Sequence, residues 1–238
     1  MKTTRRAAAG AGPAANGEPI PPLYNGDRLT QPEFHRRYEA MPEDVKAELI
    51  GGVVYMSSPL RRPHGTHHPE LSMVLTVYKA FTPGVEVGDN LTALLGGARE
   101  PQPDLILRIL TECGGQSHYD AEDYLVGAPE FVAEIAHSSE SIDLGPKRLD
   151  YQRAGVQEYL VVSVRERVLH WFYFPSRRKL RPDKAGVFRS RVFPGLWLDG
   201  PALFARDSKK LMAAVQQGVA TPEHAAFVAK LEAARGRG

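Results

Sequence analysis

Two short apolar runs each carry a carboxylate where a buried strand ordinarily carries an aliphatic side chain. Pro103-Asp104-Leu105-Ile106-Leu107 opens one run with an aspartate, and Phe131-Val132-Ala133-Glu134-Ile135-Ala136 encloses a glutamate in the other. An ionised carboxylate without a partner is expensive to bury. The usual reasons for doing so are a metal ion, an ion pair or a catalytic group with a shifted pKa. Glu48 at a strand start and Lys147 at a helix start fall within the same reading. On neighbouring strands, Asp104 and Glu134 would present paired carboxylates, and the backbone carbonyl of Ile135 would add a further oxygen. Mg²⁺ prefers oxygen ligands and commonly takes only one or two carboxylates plus water. The chemistry such a set supports is phosphodiester hydrolysis, in which a hard divalent cation activates water and neutralises charge on the phosphate. Lys147 would orient the water or stabilise that charge, and Glu48 would bind a second metal or hold a metal-bound water.

Each group also has a plainer reading. Asp104 after a proline can simply open a surface strand. Glu134 can form an edge-strand salt bridge, Lys147 can be a solvated helix lysine and Glu48 a solvated hairpin charge. The functional case therefore rests on the set. His64, His67 and His68 form an HxxHH pattern, which is not a standard zinc spacing, and Glu70 does not complete one. They read as polar residues at a helix start, with His64 a candidate substrate contact. The basic stretch from Arg177 to Arg191 reads as a solvated hairpin edge that blocks aggregation, with phosphate contact as its functional alternative. Trp171, Phe172, Tyr173 and Phe174 read as sheet packing.

The elements that must position these residues follow from pattern and punctuation. Thr30-Gln31-Pro32-Glu33 has capping-box spacing and opens a helix bearing Phe34, Tyr38 and Met41. Gly51-Gly52 predicts a two-residue turn inside a hairpin over 47–56. Leu71, Val74, Leu75 and Tyr78 predict a helix over 64–81. Short strands are expected near 85–87, 91–95, 104–109, 131–136, 158–164 and 168–174, with a helix over 143–154 closed by Gly155. A basic hairpin is expected over 177–191, and helices over 199–215 and 222–234. The order predicts a mixed α/β layered domain.

Composition narrows the class. The chain has 238 residues, 42% hydrophobic and 24% charged, which suits one globular domain with appended termini. A single cysteine, Cys113, excludes an intrachain disulfide and a Cys-based zinc cluster, and fits a reducing, cytoplasmic setting. No apolar run approaches the roughly 20 residues that span a bilayer. The N-terminal basic residues run into Ala, Gly and Pro, so they read as a flexible tail over 1–22 and not as a signal peptide. Net charge is +2, of which residues 1–22 carry +2 and 222–238 carry +1, leaving −1 for 23–221. Bulk charge thus gives no argument for nucleic-acid binding; local clustering would have to supply it.

The motifs together resemble a known family. Ala47-Glu48-Leu49-Ile50-Gly51-Gly52, Pro103-Asp104-Leu105-Ile106, Phe131-Val132-Ala133-Glu134-Ile135, Ser138-Ser139-Glu140-Ser141 and the run Asp143, Lys147, Tyr151 to Tyr159 are similar to the Uma-two family of restriction-endonuclease-like proteins. That family belongs to the PD-(D/E)XK superfamily, and the similarity covers about residues 28–198. It implies an α/β restriction-endonuclease-like core: a central mixed β-sheet flanked by helices, here over 23–198, with extra C-terminal helices over 199–238. It implies DNA as substrate and Mg²⁺ as cofactor, with Mn²⁺ as a substitute. Asp104 and Glu134 match the signature acids. The superfamily lysine would stand at Ala136, and the resemblance gives its role to Lys147. Glu48 matches the acid of the family's early hairpin, and His64 and Tyr151 match positions expected at substrate. Pairing is common among nucleases of this superfamily, so a homodimer is an expectation, with 199–234 as its contact. The function expected is a metal-dependent endodeoxyribonuclease. Its rivals are a catalytically inactive DNA-binding or protein-interaction module of the same fold, and hydrolysis of a different phosphate ester.

Overall fold

A computed structural model of the chain describes residues 19–42, 44–56 and 62–236, without the side chains of 62–64. The expected tail over 1–22 and the expected loop over 57–63 fall almost wholly outside these residues. Gly51 and Gly52 take the positive φ values, 58° and 77°, that a tight hairpin turn requires. The chain reverses there between β1 (Ala47–Ile50) and β2 (Val53–Met56). The first helix, α1 (Gln31–Glu39), starts where expected, but no capping box forms. Thr30 makes no side-chain cap, because Glu33 is engaged by Arg36 and Arg37 at 2.6–3.0 Å.

After α2 (Arg62–Ala80) come β3 (Val85–Asp89), β4 (Ala93–Leu94), β5 (Leu105–Ile109), β6 (His118–Tyr119), β7 (Leu125–Val126) and β8 (Phe131–Ala136). A short α3 (Glu140–Ile142), a wide turn over Asp143–Lys147 and α4 (Arg148–Ala154) lead to β9 (Glu158–Ser163), β10 (Val168–Tyr173) and β11 (Arg178–Lys179). Then follow β12 (Val187–Arg189), β13 (Trp197–Asp199), α5 (Gly200–Ala205), α6 (Ser208–Val219) and α7 (Pro222–Arg235). No described helix is long and apolar enough to cross a membrane.

The central sheet has the order β11-β10-β9-β8-β5-β3. Only β8 and β9 run parallel; every other neighbouring pair in this sheet is antiparallel. A parallel pair needs a long crossover, and the α3–α4 segment supplies it. Every residue of β8 and β9 is buried, as expected of strands covered on both faces. On one face, α2 and the C-terminal helices bury Leu71, Tyr78, Trp171, Leu211 and Phe227 against Phe131, Ala133 and Ile135. On the other, Tyr151 of α4 packs with Val132, Ala136, Tyr159, Phe172 and Phe174. The aromatic run of β10 thus packs both faces of the sheet, as its sequence predicts. The architecture is a mixed α/β sheet flanked by helices.

Three expectations need correction. Residues 177–191 do not pair with each other: β11 extends the central sheet, and β12 joins β13 in a separate ribbon. Asp183 makes this possible by accepting the amides of Ala185 and Val187 at 2.9 and 3.1 Å, which closes a local turn. The helix expected over 199–215 is two helices, broken where Arg206 takes φ 56° and Asp207 caps α6 through the Lys210 amide. The helix expected over 143–154 begins earlier, at Glu140, and is kinked at Gly145 (φ −103°, ψ −107°) before Pro146. Proline has no N–H for the helical ladder, so the kink falls beside it.

Candidate functional site

β8 presents its side chains alternately to the two faces, which sets Glu134 on the α4 side with Val132 and Ala136. Because β8 is central, the edge-strand reading of Glu134 does not hold; the side chain is 4% exposed. Leu105 pairs with Ala133, so Asp104 lies one step beyond, abreast of Glu134. Its Oδ2 accepts the Ile135 amide at 2.7 Å, which fastens the carboxylate to the strand that carries Glu134. Ile135 therefore touches Asp104 through its N–H. The Nε2 of His68, in the second turn of α2, lies 3.2 Å from the Asp104 carbonyl and 3.4 Å from Asp89 Oδ1.

The wide turn after α3 brings Lys147 into the same place. Its Nζ lies 2.8 Å from Glu48 Oε1, 2.9 Å from Glu134 Oε1 and 3.9 Å from Asp143 Oδ1. Lys147 is 5% exposed, so it is not a solvated helix lysine. Nor is Glu48 a solvated hairpin charge, since its Oε1 also accepts the Gln102 amide at 2.7 Å. The hairpin is held in position by the paired Leu49 and Glu100 backbones and by the Asp150 carboxylate, which accepts the Gly51 amide. Asp143 is fixed from behind by the Ser139 hydroxyl at 2.6 Å. Widened helical turns of this kind recur at functional sites; here the turn sets both Asp143 and Lys147 inward.

The electrostatics are those of a crowded, nearly dry acidic cluster. Burial pushes the Glu134 carboxyl well above the usual range, Lys147 pulls it down, and Asp104, Asp143 and Glu48 push it up again. Burial likewise raises Asp143 to about 6, against the pull of Lys147 and Ser139. Burial alone would strip the Lys147 proton, but Glu134, Glu48 and Asp143 outweigh it and hold the ammonium well above its ordinary value. Four carboxyl groups thus share the field of one ammonium. Such a surplus in a low-dielectric site is destabilising unless protons or a further cation offset it. Tyr151, 1% exposed, donates its hydroxyl to Glu134 Oε1 at 2.8 Å. Burial beside Glu134 raises that phenol too, so it remains a donor. This contact makes Tyr151 a positioning residue for the carboxylate.

The oxygen donors suit a hard divalent cation. Among the described residues, no three His, Cys, Asp or Glu groups form a ready cage, but a magnesium site needs only one or two carboxylates. Asp104 and Glu134 are the pair that fits.

A family profile described as "Putative restriction endonuclease", Uma2, matches residues 31–200. The chain belongs to the Uma2 family. Its fold is shared with a crystal structure described as a putative nuclease belonging to DUF820 from Anabaena variabilis ATCC 29413. That structure has a TM-score of 0.54, is 16% identical, and is matched over 79% of this chain and 99% of the other. No curated protein matches the chain.

Of the residues the sequence singles out, this Uma2 chain brings Glu48, Asp104, Glu134, Ile135, Lys147 and Tyr151 together. The His64 side chain lies outside the described residues. The sequence reading missed Asp143, although its spacing of four from Lys147 on a helix was a usable signal. It missed His68 as a neighbour of Asp104, having read it only as part of a helix start. The basic stretch 177–191 is partly engaged elsewhere: Arg189 pairs with Asp183 at 2.7 Å and stacks over Trp197.

Proposed function

We propose that this chain is a metal-dependent endonuclease that hydrolyses DNA phosphodiester bonds at the cluster of Glu48, Asp104, Glu134 and Lys147. The observation that carries the reading is the buried Lys147 ammonium held between Glu48 and Glu134 beside Asp104, with more acid than base. Membership of a family described as restriction endonucleases supports the same class. Asp104 and Glu134 would hold Mg²⁺ or Mn²⁺, with the Ile135 carbonyl completing the oxygen set. When bound, the cation supplies an activated water and neutralises charge on the scissile phosphate.

The remaining roles belong to the chain's own groups. Lys147 keeps its proton at neutral pH, so it acts as a donor and a fixed positive charge, not as a general base. Glu48 holds that ammonium in place, and is itself held by the Gln102 amide. Tyr151 fixes the Glu134 carboxylate through Oε1. A second reading, a non-catalytic module of the same fold, is favoured by the lack of a ready three-group cage among the described residues. There, Lys147 alone would balance Glu134.

Nicking of supercoiled plasmid separates the two. The nuclease converts it to open circle with Mg²⁺ or Mn²⁺, stops in EDTA, and loses activity on Asp104→Ala. A module leaves the plasmid intact under every condition.

A further inference from the structure

Around the corner of the sheet from Glu134 lies an open cleft of about 340 Å³, lined by Thr66, His67, Arg165, Arg167, Phe204 and Arg206. No acidic residue lines it. It sits at the same end of the sheet as the acidic cluster. Glu134 pairs with Val161 in the parallel ladder, and Val164, at the cleft, lies three residues further along. That is about 10 Å at the usual rise per residue. The start of α2 links the two places: His68 approaches the Asp104 carbonyl, and His67, its neighbour, faces the cleft.

The three arginines are not held by carboxylates among the described residues. Arg167 donates to the Phe204 carbonyl at 3.4 Å and its guanidinium lies over the Phe204 ring at 5.5 Å, which fixes the plane of the group. Arg165 and Arg206 are exposed. The backbone adds a second, independent observation. Arg167 and Arg206 both adopt left-handed φ, 53° and 56°, where glycine, asparagine or aspartate is the economical choice. Strained positions occupied by a long charged side chain point to a use for that side chain. Two of them converge on one cleft.

We propose that this cleft binds a backbone phosphate of a polynucleotide whose scissile bond lies at the acidic cluster. Planar guanidinium forks match phosphate oxygens, and a basic patch about one or two nucleotides from a metal-dependent centre supplies the attraction that the −1 charge of residues 23–221 does not. The inference rests on the nucleic-acid reading of the site, and deepens it by assigning where the strand is held.

The test uses the full chain, a fluorescein-labelled duplex oligonucleotide and anisotropy over a salt series in EDTA, so that binding is read without cleavage. The variant combines Arg165→Ala, Arg167→Gly and Arg206→Gly. Glycine suits both left-handed positions, so folding is retained, which a thermal melt checks. The control is Lys230→Ala with Arg235→Ala on α7, which packs at the opposite end of β5 from Asp104. The variant should bind about tenfold or more weakly at low salt, with a log–log salt slope shallower by about 2.7, at about 0.9 per phosphate contact. The control should match the wild type. An unchanged slope in the arginine variant, or an equal drop in the control, overturns the proposal even where plasmid is nicked. A shallower slope in a protein that never nicks plasmid upholds this subsite and sinks the nuclease reading. A wild type that does not bind the duplex overturns the proposal outright.

Discussion

Replacing Lys147 by methionine is the sharpest perturbation of the site, because it keeps the volume of the side chain and removes only its charge. At 2.8 and 2.9 Å from Glu48 and Glu134, the ammonium attracts each carboxylate by about 6 kcal/mol at an effective dielectric constant of about 20. Most of that attraction is offset by the desolvation of the three groups, so the sum is not the effect to expect. What the variant exposes is the other half of the balance: two or more buried acids left without a counter-charge. Breaking a buried pair this way costs about 3–5 kcal/mol. Urea unfolding followed by circular dichroism, in EDTA, should give that loss near neutral pH. The pH dependence carries a sign. Glu134 and Asp143 already have raised folded-state pKa values, so their stabilising contribution is complete in acid and is lost as pH rises through those values. Without Lys147 to pull them down, both rise further. The variant should therefore be least impaired near pH 5 and most impaired above about pH 7. A loss under about 1 kcal/mol, or a larger loss in acid than at neutrality, would refute the placement of Lys147 as the counter-charge of this cluster.

Two further outcomes follow from the same geometry. Asp143 titrates at about 6 in the folded chain against an ordinary 3.8, so it lowers stability by up to about 3 kcal/mol as pH rises from about 4 to about 6. Asp143→Asn should flatten the urea midpoint across that window relative to the wild type. Glu158 is fully buried and accepts from Trp171 Nε1, the Ser190 hydroxyl and the amides of Arg191 and Val192 at 2.6–3.2 Å. Glu158→Gln should cost about 2 kcal/mol and raise hydrogen exchange at the Arg191 and Val192 amides, while plasmid nicking by folded protein stays unchanged.

Glu158 also marks the limit of what the sequence discloses. A carboxylate interrupting an apolar strand was the sign that picked out Asp104 and Glu134, and Glu158 and Glu130 carry a similar sign at strand starts. In the fold these two are anchored by hydrogen bonds: Glu130 takes the Ile109 and Gln116 amides at 2.8 and 3.0 Å, and Glu158 holds the 190–192 segment. Glu134 differs in its printed partners, a lysine and a tyrosine hydroxyl. Strand pattern alone does not separate anchoring acids from clustered ones, because the separation depends on which chain segment arrives opposite. Lys147 was legible only through the family motif, since nothing local distinguishes it from an exposed helix lysine. The β1–β2 turn, the α2 stripe and β8 were legible because glycine pairs, period and apolar runs are local signals. The ribbon of β12 and β13 was not, because Trp197-Leu198 is too short a run to announce a strand, and Gly195 and Gly200 on either side suggest turns.

The central claim is that the acids abreast on β5 and β8 are short of positive charge and take up a divalent cation. Titration of Mn²⁺ followed by electron paramagnetic resonance, on the wild type and on Asp104→Asn, measures this directly. The account predicts a bound ion in the wild type, displaced by excess Mg²⁺ and lost in the variant. A wild type that leaves Mn²⁺ free in solution, or a variant that binds it equally well, contradicts it.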